Sequence, residues 1–279
     1  METSESLKQL VRDKYSEIAL QSKEQNESSC CGSGCCSTVD YAVFSENYSD
    51  LEGYNANADL GLGCGLPTEF AQIKKGDVVV DLGSGAGNDC FIARAVTGET
   101  GKVIGIDMTE AMIDKARENT EKLGLNNVEF RLGDIEKIPM TSNNADVVVS
   151  NCVLNLVPDK QKAFSEVFRI LKPGGHFSIS DVVLEGDLPD NIKQASEMYA
   201  GCVAGALQKK DYIDIIKAAG FDNINIQKEK AVIIPDDILS EYLNSSELIE
   251  YKESRSGIFS ITVYADKPDE TCCGEGCCN

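Results

Sequence analysis

Between residues 76 and 183 the sequence alternates short β-branched runs with helical patterns that are long enough for parallel crossovers. Five runs are predicted to form buried strands: VVVDLG (78–83), KVIGID (102–107), VEFRLGD (128–134), ADVVVSN (145–151) and HFSISDVV (176–183). Helical patterns lie between these runs, at residues 88–96, 109–124 and 160–175. The alternation predicts an α/β fold built on a doubly wound, mostly parallel sheet.

The segments that flank this core are predicted to cover it. Residues 1–74 lack the strand rhythm and contain a Ser/Gly/Cys-rich break at 28–38, which favours an arm with one or two helices. After the core comes a helical stretch (191–220) and two runs that are expected to complete the same sheet, NINIQKE (223–229) and IFSITVYAD (258–266). We therefore expect an N-terminal arm, a central α/β domain, a covering region with closing strands and a Cys-rich tail, at residues 1–74, 75–184, 185–267 and 268–279.

Composition limits the partners and the chemistry. The chain has 26 Lys and Arg against 46 Asp and Glu, a net charge of −20, and no basic stripe, so binding to nucleic acid or an anionic membrane is not expected. The chain has no run of 18 apolar residues and does not open with a signal segment, which predicts a cytoplasmic protein with no membrane contact. With a single histidine, His176, carboxylates or thiols must carry any catalysis.

The first predicted strand runs into a glycine-rich turn, DLGSGAG (81–87). Glycines there allow a tight turn and let a ligand approach the backbone closely. The dinucleotide-binding pattern Gly-x-Gly-x-x-Gly fails, because Asn88 stands where the third glycine is required. Gly-x-Gly-x-Gly after an acidic residue instead resembles motif I of class I S-adenosylmethionine (SAM) methyltransferases.

The next two strands end in residues that suit the same cofactor. Asp107 stands where a carboxylate can hydrogen-bond both ribose hydroxyls, although taken alone it could be a turn or cap residue ahead of Thr109. The third strand ends in Gly133-Asp134-Ile135, where the resemblance implies adenine recognition. SAM is therefore the predicted cofactor, and its candidate contacts are Asp81, Gly83, Gly85, Gly87, Asp107, Met108, Gly133, Asp134, Ile135 and Asn151.

Three isolated cysteines lie in segments that could meet at one soft centre. Cys64 lies in the glycine-rich stretch GLGCGLP, Cys152 ends the fourth strand, and Cys202 lies in MYAGCVAGAL on a covering helix. Zinc would require a fourth ligand and closer spacing, whereas a three-coordinate thiophile with a lone pair, such as trivalent arsenic, fits three thiolates. For Cys152, a small buried hydrophobe is an equal alternative. Cys90, at a helix start where the dipole would lower a thiol pKa, is more simply explained as a packing residue.

The quoted segments GLGCGLP, DLGSGAGNDC, IGIDMT, SNCVLNLVPDKQ and GCVAGAL occur in the order typical of arsenite SAM methyltransferases, and the chain resembles that family over about residues 54–220. The resemblance implies a Rossmann-like class I methyltransferase fold and a central domain that binds SAM. It also implies methyl transfer to arsenite or its thiol conjugates, in arsenic detoxification, with Cys64, Cys152 and Cys202 as the catalytic arsenic ligands.

The family resemblance further implies a disulfide between Cys64 and an N-terminal cysteine. Cys30, Cys31, Cys35 and Cys36 are the candidates, and the sequence does not choose among them. An external reductant of the thioredoxin or glutathione type, with a thioredoxin-like reductase as partner, would reopen the bond. The N-terminal cluster CCGSGCC (30–36) is therefore assigned to exchange with Cys64, and the C-terminal copy CCGEGCC (272–278) to metalloid capture.

Two other functions are compatible with the same residues. One is a SAM methyltransferase for a small organic acceptor, in which the cysteines are ordinary core residues. The other is a metalloid-binding protein that keeps the fold without catalysis.

Overall fold

The computed structural model describes residues 4–21, 47–186, 205–232, 240, 243–253 and 256–269. Within them, seven strands form one sheet in the order β3-β2-β1-β4-β5-β7-β6. The strands are β1 (Val78–Leu82), β2 (Lys102–Asp107), β3 (Val128–Leu132), β4 (Ala145–Asn151), β5 (Leu171–Glu185), β6 (Asp222–Val232) and β7 (Gly257–Asp266). The helices of the described residues are α1 (Ser4–Ala19), α2 (Pro67–Phe70), α3 (Asn88–Thr97), α4 (Glu110–Leu123), α5 (Lys160–Ile170), α6 (Lys209–Ala218) and α7 (Ser245–Glu253).

The sheet is mostly parallel, as the sequence predicts. Strands β1 to β5 pair in parallel, and β7 lies antiparallel between β5 and β6, so the two downstream runs do complete the same sheet. The strand order reverses between β1 and β4, and ligands of such sheets bind beyond the carboxyl ends of the strands at that reversal. The topology thus fixes the place of a site before any side chain is considered.

Both faces of the sheet are buried. Val79 and Val80 are neighbours on β1 but belong to different hydrophobic clusters, because successive side chains of a strand point to opposite faces. One cluster packs α5 and α6 on the sheet through residues such as Phe164 and Tyr212, and the other packs α3 and α4 through Phe91 among others. Continuous apolar strands therefore reflect burial on both sides.

One boundary differs from the sequence prediction. The helical pattern at 160–175 ends at Ile170, and β5 begins at Leu171 instead of residue 176. Leu171 has extended backbone angles and pairs with Ala145, and the residue before Pro173 is disfavoured in a helix. Of the predicted helical stretch 191–220, the structure describes α6, and residues 187–204 lie outside the described residues.

Helix α1 of the N-terminal arm packs against α4. Lys115 of α4 donates from Nζ to the carbonyl oxygens of Ala19 (2.9 Å) and Gln21 (3.3 Å), at the end of α1 where a cation complements the helix dipole. No helix among the described residues is both long and apolar enough to cross a membrane. The predicted division of the chain at 74/75, 184/185 and 267/268 stays a prediction.

Candidate active site

A cavity lies at the carboxyl ends of β1 to β4, with α1 as one wall. It is lined by nearly all of the predicted cofactor residues, namely Asp81, Gly83, Gly85, Asp107, Met108, Gly133, Asp134, Ile135 and Asn151, and also by Cys152. Gly87 is the exception. Its φ is +101°, and a Cβ there would lie 2.8 Å from the Phe130 ring, so glycine is required by backbone conformation and packing.

Asp107 joins the glycine turn to the end of β2. Its Oδ2 accepts from the backbone N–H of Gly85 (3.0 Å) and its Oδ1 from that of Thr109 (2.8 Å), so it also has the capping role considered from sequence. Burial raises the pKa of Asp107, while these backbone donors act in the opposite direction. The carboxylate is thus held rigidly at the cavity wall.

The residues that line the cavity fit SAM in their hydrogen-bonding groups and in their charge. The hydroxyl of Ser84 is buried and has no hydrogen-bond partner among the described residues, and the space beside Gly85 is open enough to admit a ligand. Asp59, Asp81 and Asp89 also line the cavity, and burial followed by the charge of Asp89 raises the pKa of Asp81 well above its ordinary value. A cationic ligand such as a sulfonium with an amino group would relieve that repulsion.

The end of the cavity that holds Asp134 is closed by the N-terminal arm. Lys8 Nζ lies 2.7 Å from carboxylate oxygens of both Asp134 and Glu136. Burial opposes ionisation of Asp134, but the hydrogen bonds from Lys8 and from the N–H of Glu136 prevail and lower its pKa. Lys8, and also Val11 and Tyr15 on the same wall, were not predicted from the sequence, because no local pattern relates α1 to residues more than a hundred positions away.

Two of the three predicted arsenic ligands are joined directly. Cys64 and Cys152 form a disulfide with Cα atoms 5.7 Å apart, across 88 residues of sequence, and both are buried. The prediction that Cys64 pairs with an N-terminal cysteine differs from this structure, in which its partner is Cys152. Cys30, Cys31, Cys35, Cys36 and Cys202 lie outside the described residues, as does the C-terminal cluster.

Cys152 has a strained backbone. Its φ is +59°, in the left-handed region that costs a residue with a side chain ~1–2 kcal/mol. Its N–H donates to the carbonyl oxygen of Ser180 on β5 at 2.8 Å, so the strand pairing continues through the strained residue. Strain that is held by surrounding structure is typical of functional positions.

The Cys64 loop (residues 61–66) is held tightly, although glycines allow the backbone more conformations than other residues do. A Cβ at Gly63 would lie 2.6 Å from Asn151 Nδ2, and one at Gly65 would lie 2.5 Å from Ser180 Oγ. Ser260 Oγ donates to the carbonyl oxygen of Cys64 at 2.5 Å. These glycines are therefore needed for close packing against β4 and β5.

Comparisons with known proteins agree with this geometry. The methyltransferase domain family matches residues 73–220. An arsenite methyltransferase of Halobacterium salinarum is 40% identical over 95% of this chain and 67% of its own length. The chain belongs to the arsenite methyltransferase family.

Two further relatives support that assignment to different extents. The arsenite methyltransferase of Mus musculus is 41% identical over 57% of this chain, which spans 44% of the mouse protein. The crystal structure of an arsenic (III) S-adenosylmethionine methyltransferase from Chlamydomonas reinhardtii has a TM-score of 0.63 and 33% identity, covering 74% of this chain and 68% of that one. The class I SAM-dependent methyltransferase fold predicted from sequence is confirmed.

In this methyltransferase Cys90 is a packing residue with a polar contact. It is fully buried at the start of α3, and its thiol lies 3.3 Å from Asp81 Oδ2. Burial, followed by the charge of Asp81, raises its pKa well above the ordinary value, so the expected lowering by the helix dipole is overridden. His176 is likewise structural, since its Nε2 contacts the carbonyl oxygen of Ala71 and its ring stacks on Tyr264.

Tyr48 and Asp89 are further residues of the methyltransferase site that the sequence analysis missed. Burial raises the pKa of Asp89 to about 6, although hydrogen bonds from Asn151, Tyr48 and Thr68 act in the opposite direction. Asp89 comes two residues after the glycine turn, in DLGSGAGND, so a carboxylate close to the motif was the available signal. Tyr48 has no signal in the sequence.

Proposed function

We propose that this methyltransferase methylates trivalent arsenic held by Cys64, Cys152 and Cys202, with SAM as the methyl donor. The observation that carries the proposal is the direct bond between the sulfurs of Cys64 and Cys152 at the edge of a cavity that fits SAM. Two thiols from distant segments meet where the sheet topology expects a ligand, and thiolates are the ligands that soft ions prefer. For Cys202 the support is the family resemblance of its segment.

Each part of the site has a proposed task. Asp107 would accept the ribose hydroxyls and Asp134 would recognise adenine, while the glycine turn leaves room for the rest of the cofactor. Bound SAM supplies a methyl group that a sulfonium centre makes electrophilic. The thiolates of Cys64 and Cys152 replace oxygen on arsenite and hold its lone pair close to the cavity.

No general base is required, because the attacking lone pair carries no proton. Holding donor and acceptor in one site can lower a barrier by ~7–11 kcal/mol when the two are well aligned. The absence of a base suits a chain whose single histidine, His176, is structural.

The electron balance requires a reductant. Using its lone pair to bond a methyl group takes arsenic from the +3 to the +5 state, and two electrons return it to +3. Two thiolates supply these electrons when they close to a disulfide, and the Cys64–Cys152 bond is one such product. An external thiol of the thioredoxin or glutathione type, with a thioredoxin-like reductase as partner, reopens it, which assigns the protein to the reducing cytoplasm. Exchange with CCGSGCC (30–36) stays a prediction.

The decisive experiment incubates the full chain with arsenite, methyl-labelled SAM and a dithiol reductant. We expect labelled methylarsenic species, and none when arsenite is left out. Tight arsenite binding without labelled product would instead favour a sequestration protein. Labelling of an organic acceptor alone, with arsenite inert, would favour a methyltransferase for a small molecule.

A further inference from the structure

The backbone of the Cys64 loop is bound by the side chain that precedes Cys152. Asn151 Oδ1 accepts from the N–H groups of Cys64 (3.1 Å) and Gly65 (3.2 Å), and Asn151 Nδ2 donates to the carbonyl oxygen of Gly65 (2.9 Å). One amide thus makes three hydrogen bonds to two consecutive loop residues. Because Asn151 is next to Cys152 in the chain, the strand end that carries one thiol also holds the loop that carries the other.

The orientation of this amide is set by acceptors, chiefly Asp89. Asn151 Nδ2 lies 3.2 Å from Asp89 Oδ2, and an ionised carboxylate can only accept hydrogen bonds. A flipped amide would place its oxygen against the carboxylate and against the Gly65 carbonyl, and its NH₂ group against two N–H donors. Three acceptors surround Nδ2, namely the Gly65 carbonyl oxygen, the Tyr48 hydroxyl oxygen and Asp89. Asp89 is the charged one, so it contributes most to keeping the carbonyl of Asn151 facing the loop.

Asp89 is itself held by the surrounding elements. The Tyr48 hydroxyl, which has one proton to donate, lies within hydrogen-bond distance of Asp89 Oδ2 (3.1 Å) and of the Gly65 carbonyl oxygen (2.9 Å), and Thr68 donates to Asp89 Oδ1 at 3.3 Å. Asp89 lies in the first turn of α3, directly after the glycine turn of the cofactor site. The carboxylate therefore connects the cofactor turn to the thiol loop through Asn151.

We propose that Asp89 and Asn151 are positioning residues that hold the sulfur of Cys64 against that of Cys152. Asp89 fixes the amide of Asn151, and Asn151 fixes the loop. Their consequence for arsenite rests on the proposed function, but the placement of the two thiols does not. Asn151 is predicted from the sequence to contact the cofactor, and both side chains also line the cavity, so the test must separate the two roles.

The test uses the equilibrium of the Cys64–Cys152 bond with glutathione. In this exchange the two thiols are oxidised to the disulfide while one glutathione disulfide is reduced to two glutathione molecules, so the equilibrium constant reports how well the thiols are held together. The 64–152 bond is followed by peptide mapping of the full chain, without arsenite or SAM. We expect Asn151→Ala and Asp89→Asn each to lower the constant ~10-fold, the effect of losing one or two hydrogen bonds.

The double variant and a matched control give the proposal its sharpest form. If Asp89 acts through Asn151, the double variant Asp89→Asn/Asn151→Ala should have the same equilibrium constant as Asn151→Ala alone. If the two residues act independently, their effects should multiply and lower the constant ~100-fold. Asn119→Ala is the control, because Asn119 is a buried asparagine that donates to the Ala86 carbonyl oxygen beside the glycine turn. It should change the constant less than ~2-fold.

Kinetics then test the role in catalysis. In Asp89→Asn, which keeps the side-chain shape, we expect KM for arsenite to rise ~10-fold. KM for SAM should rise less, by the amount due to the loss of one charge from the cavity lining. Any of three results would overturn the proposal. They are an unchanged glutathione equilibrium in both single variants, effects that multiply in the double variant, and an equal rise in the two KM values. Failure of the parent to methylate arsenite, with the glutathione effects intact, would instead refute the proposed function and leave the positioning role standing.

Discussion

The cofactor half and the thiol half of the cavity are assembled from the chain in different ways. The cofactor half is formed by the ends of three successive strands, within residues 81–135. Its lining residues lie at the end of each strand or in the turn that follows it. The thiol half joins Tyr48, the Cys64 loop, Asp89 and Asn151-Cys152. The contacts that join them connect residues up to 103 positions apart. The first is fixed by local turns and strand register, and the second by hydrogen bonds between side chain and backbone.

This contrast predicts different effects of substitutions in the two halves. A change in the cofactor half should affect the ligand that touches the changed residue, because the backbone there is held by the sheet. A change in the thiol half should propagate, because Asn151 holds Cys64 as well as adjoining Cys152. The two halves are separable if a substitution in one leaves ligand binding in the other unchanged.

The largest effect is expected for Cys152→Ser. Methyl transfer to arsenite should fall ~100-fold or more, because a hydroxyl is a poor ligand for a soft ion, while the Kd for SAM stays within ~2-fold. Labelled methyl transfer and titration calorimetry measure the two quantities. Cys90→Ser is the control for loss of a buried thiol, and it should leave the number of arsenic atoms bound per chain unchanged. Turnover close to that of the parent would remove Cys152 from the mechanism.

Asp107→Ala should have the next largest effect, in the opposite half. Loss of a charged acceptor predicts a ~10–100-fold rise in the Kd for SAM. Protection of Cys64 and Cys152 from alkylation by arsenite, in the reduced protein, should not change. Asp107→Asn keeps the shape and should lose less affinity, which separates charge from packing. If arsenite protection falls together with SAM affinity, the two halves are not separable.

A smaller effect is expected where the N-terminal arm closes the cofactor half. Lys8→Met removes the cation that lies 2.7 Å from both Asp134 and the buried Glu136, and leaves Lys162 at 3.9 Å from Glu136, so we expect SAM to bind ~3–10-fold more weakly and to dissociate faster. Arg12→Met is the matched control on α1, because its partner Glu5 is exposed and such pairs contribute little. Equal SAM dissociation rates in the two variants would refute the role of Lys8 as a closure.

The smallest effect on catalysis is expected for a change of Asp181, which lies behind the thiol half and is expected to act on stability. Asp181 is fully buried on β5, next to Ser180, and burial raises its pKa to about 7, while the charge of Lys160 and the donors Val182 N–H and Tyr212 OH oppose the rise. Because the folded-state pKa lies above the ordinary value of 3.8, the folded chain binds this proton more tightly than the unfolded chain does. Its contribution to stability is therefore complete below pH ~4 and is lost as the pH rises towards 7.

Asp181→Asn should remove this pH dependence. Between pH 5 and 7 the free energy of unfolding of the parent should fall relative to that of the variant, by at most ~1.4 kcal/mol per pH unit. Urea unfolding of the reduced protein at both pH values measures the difference, and parallel pH profiles would contradict the prediction. Asp214→Asn, an exposed carboxylate paired with Lys210 on α6, should show no such difference.

The sheet could be predicted from the sequence because its strands are short apolar runs with fixed spacing, and each run was found within a few residues of its observed place. The start of β5 was missed because Leu171 continues the helical pattern of α5, and its pairing with Ala145 is what draws it into the sheet. All of the predicted cofactor residues except Gly87 line the cavity, since they stand at strand ends whose position the sheet fixes, and their contacts with SAM stay a prediction. Gly87 was predicted to contact the ligand, but its positive φ and the nearby Phe130 ring explain why glycine is required there.

The sequence by itself determined the α/β fold, the glycine turn and the three cysteines worth considering, because those depend on residue type and on spacing along the chain. The tertiary structure alone decided that Cys64 is bonded directly to Cys152, that Asn151 binds the thiol loop, and that Lys8 closes the far end of the cavity. Contacts of this kind join residues about 90 to 130 positions apart, and their geometry exists only after the sheet has brought the strand ends together. Hydrogen bonds between such distant segments leave no periodic trace in the sequence, which is why they had to be seen in three dimensions.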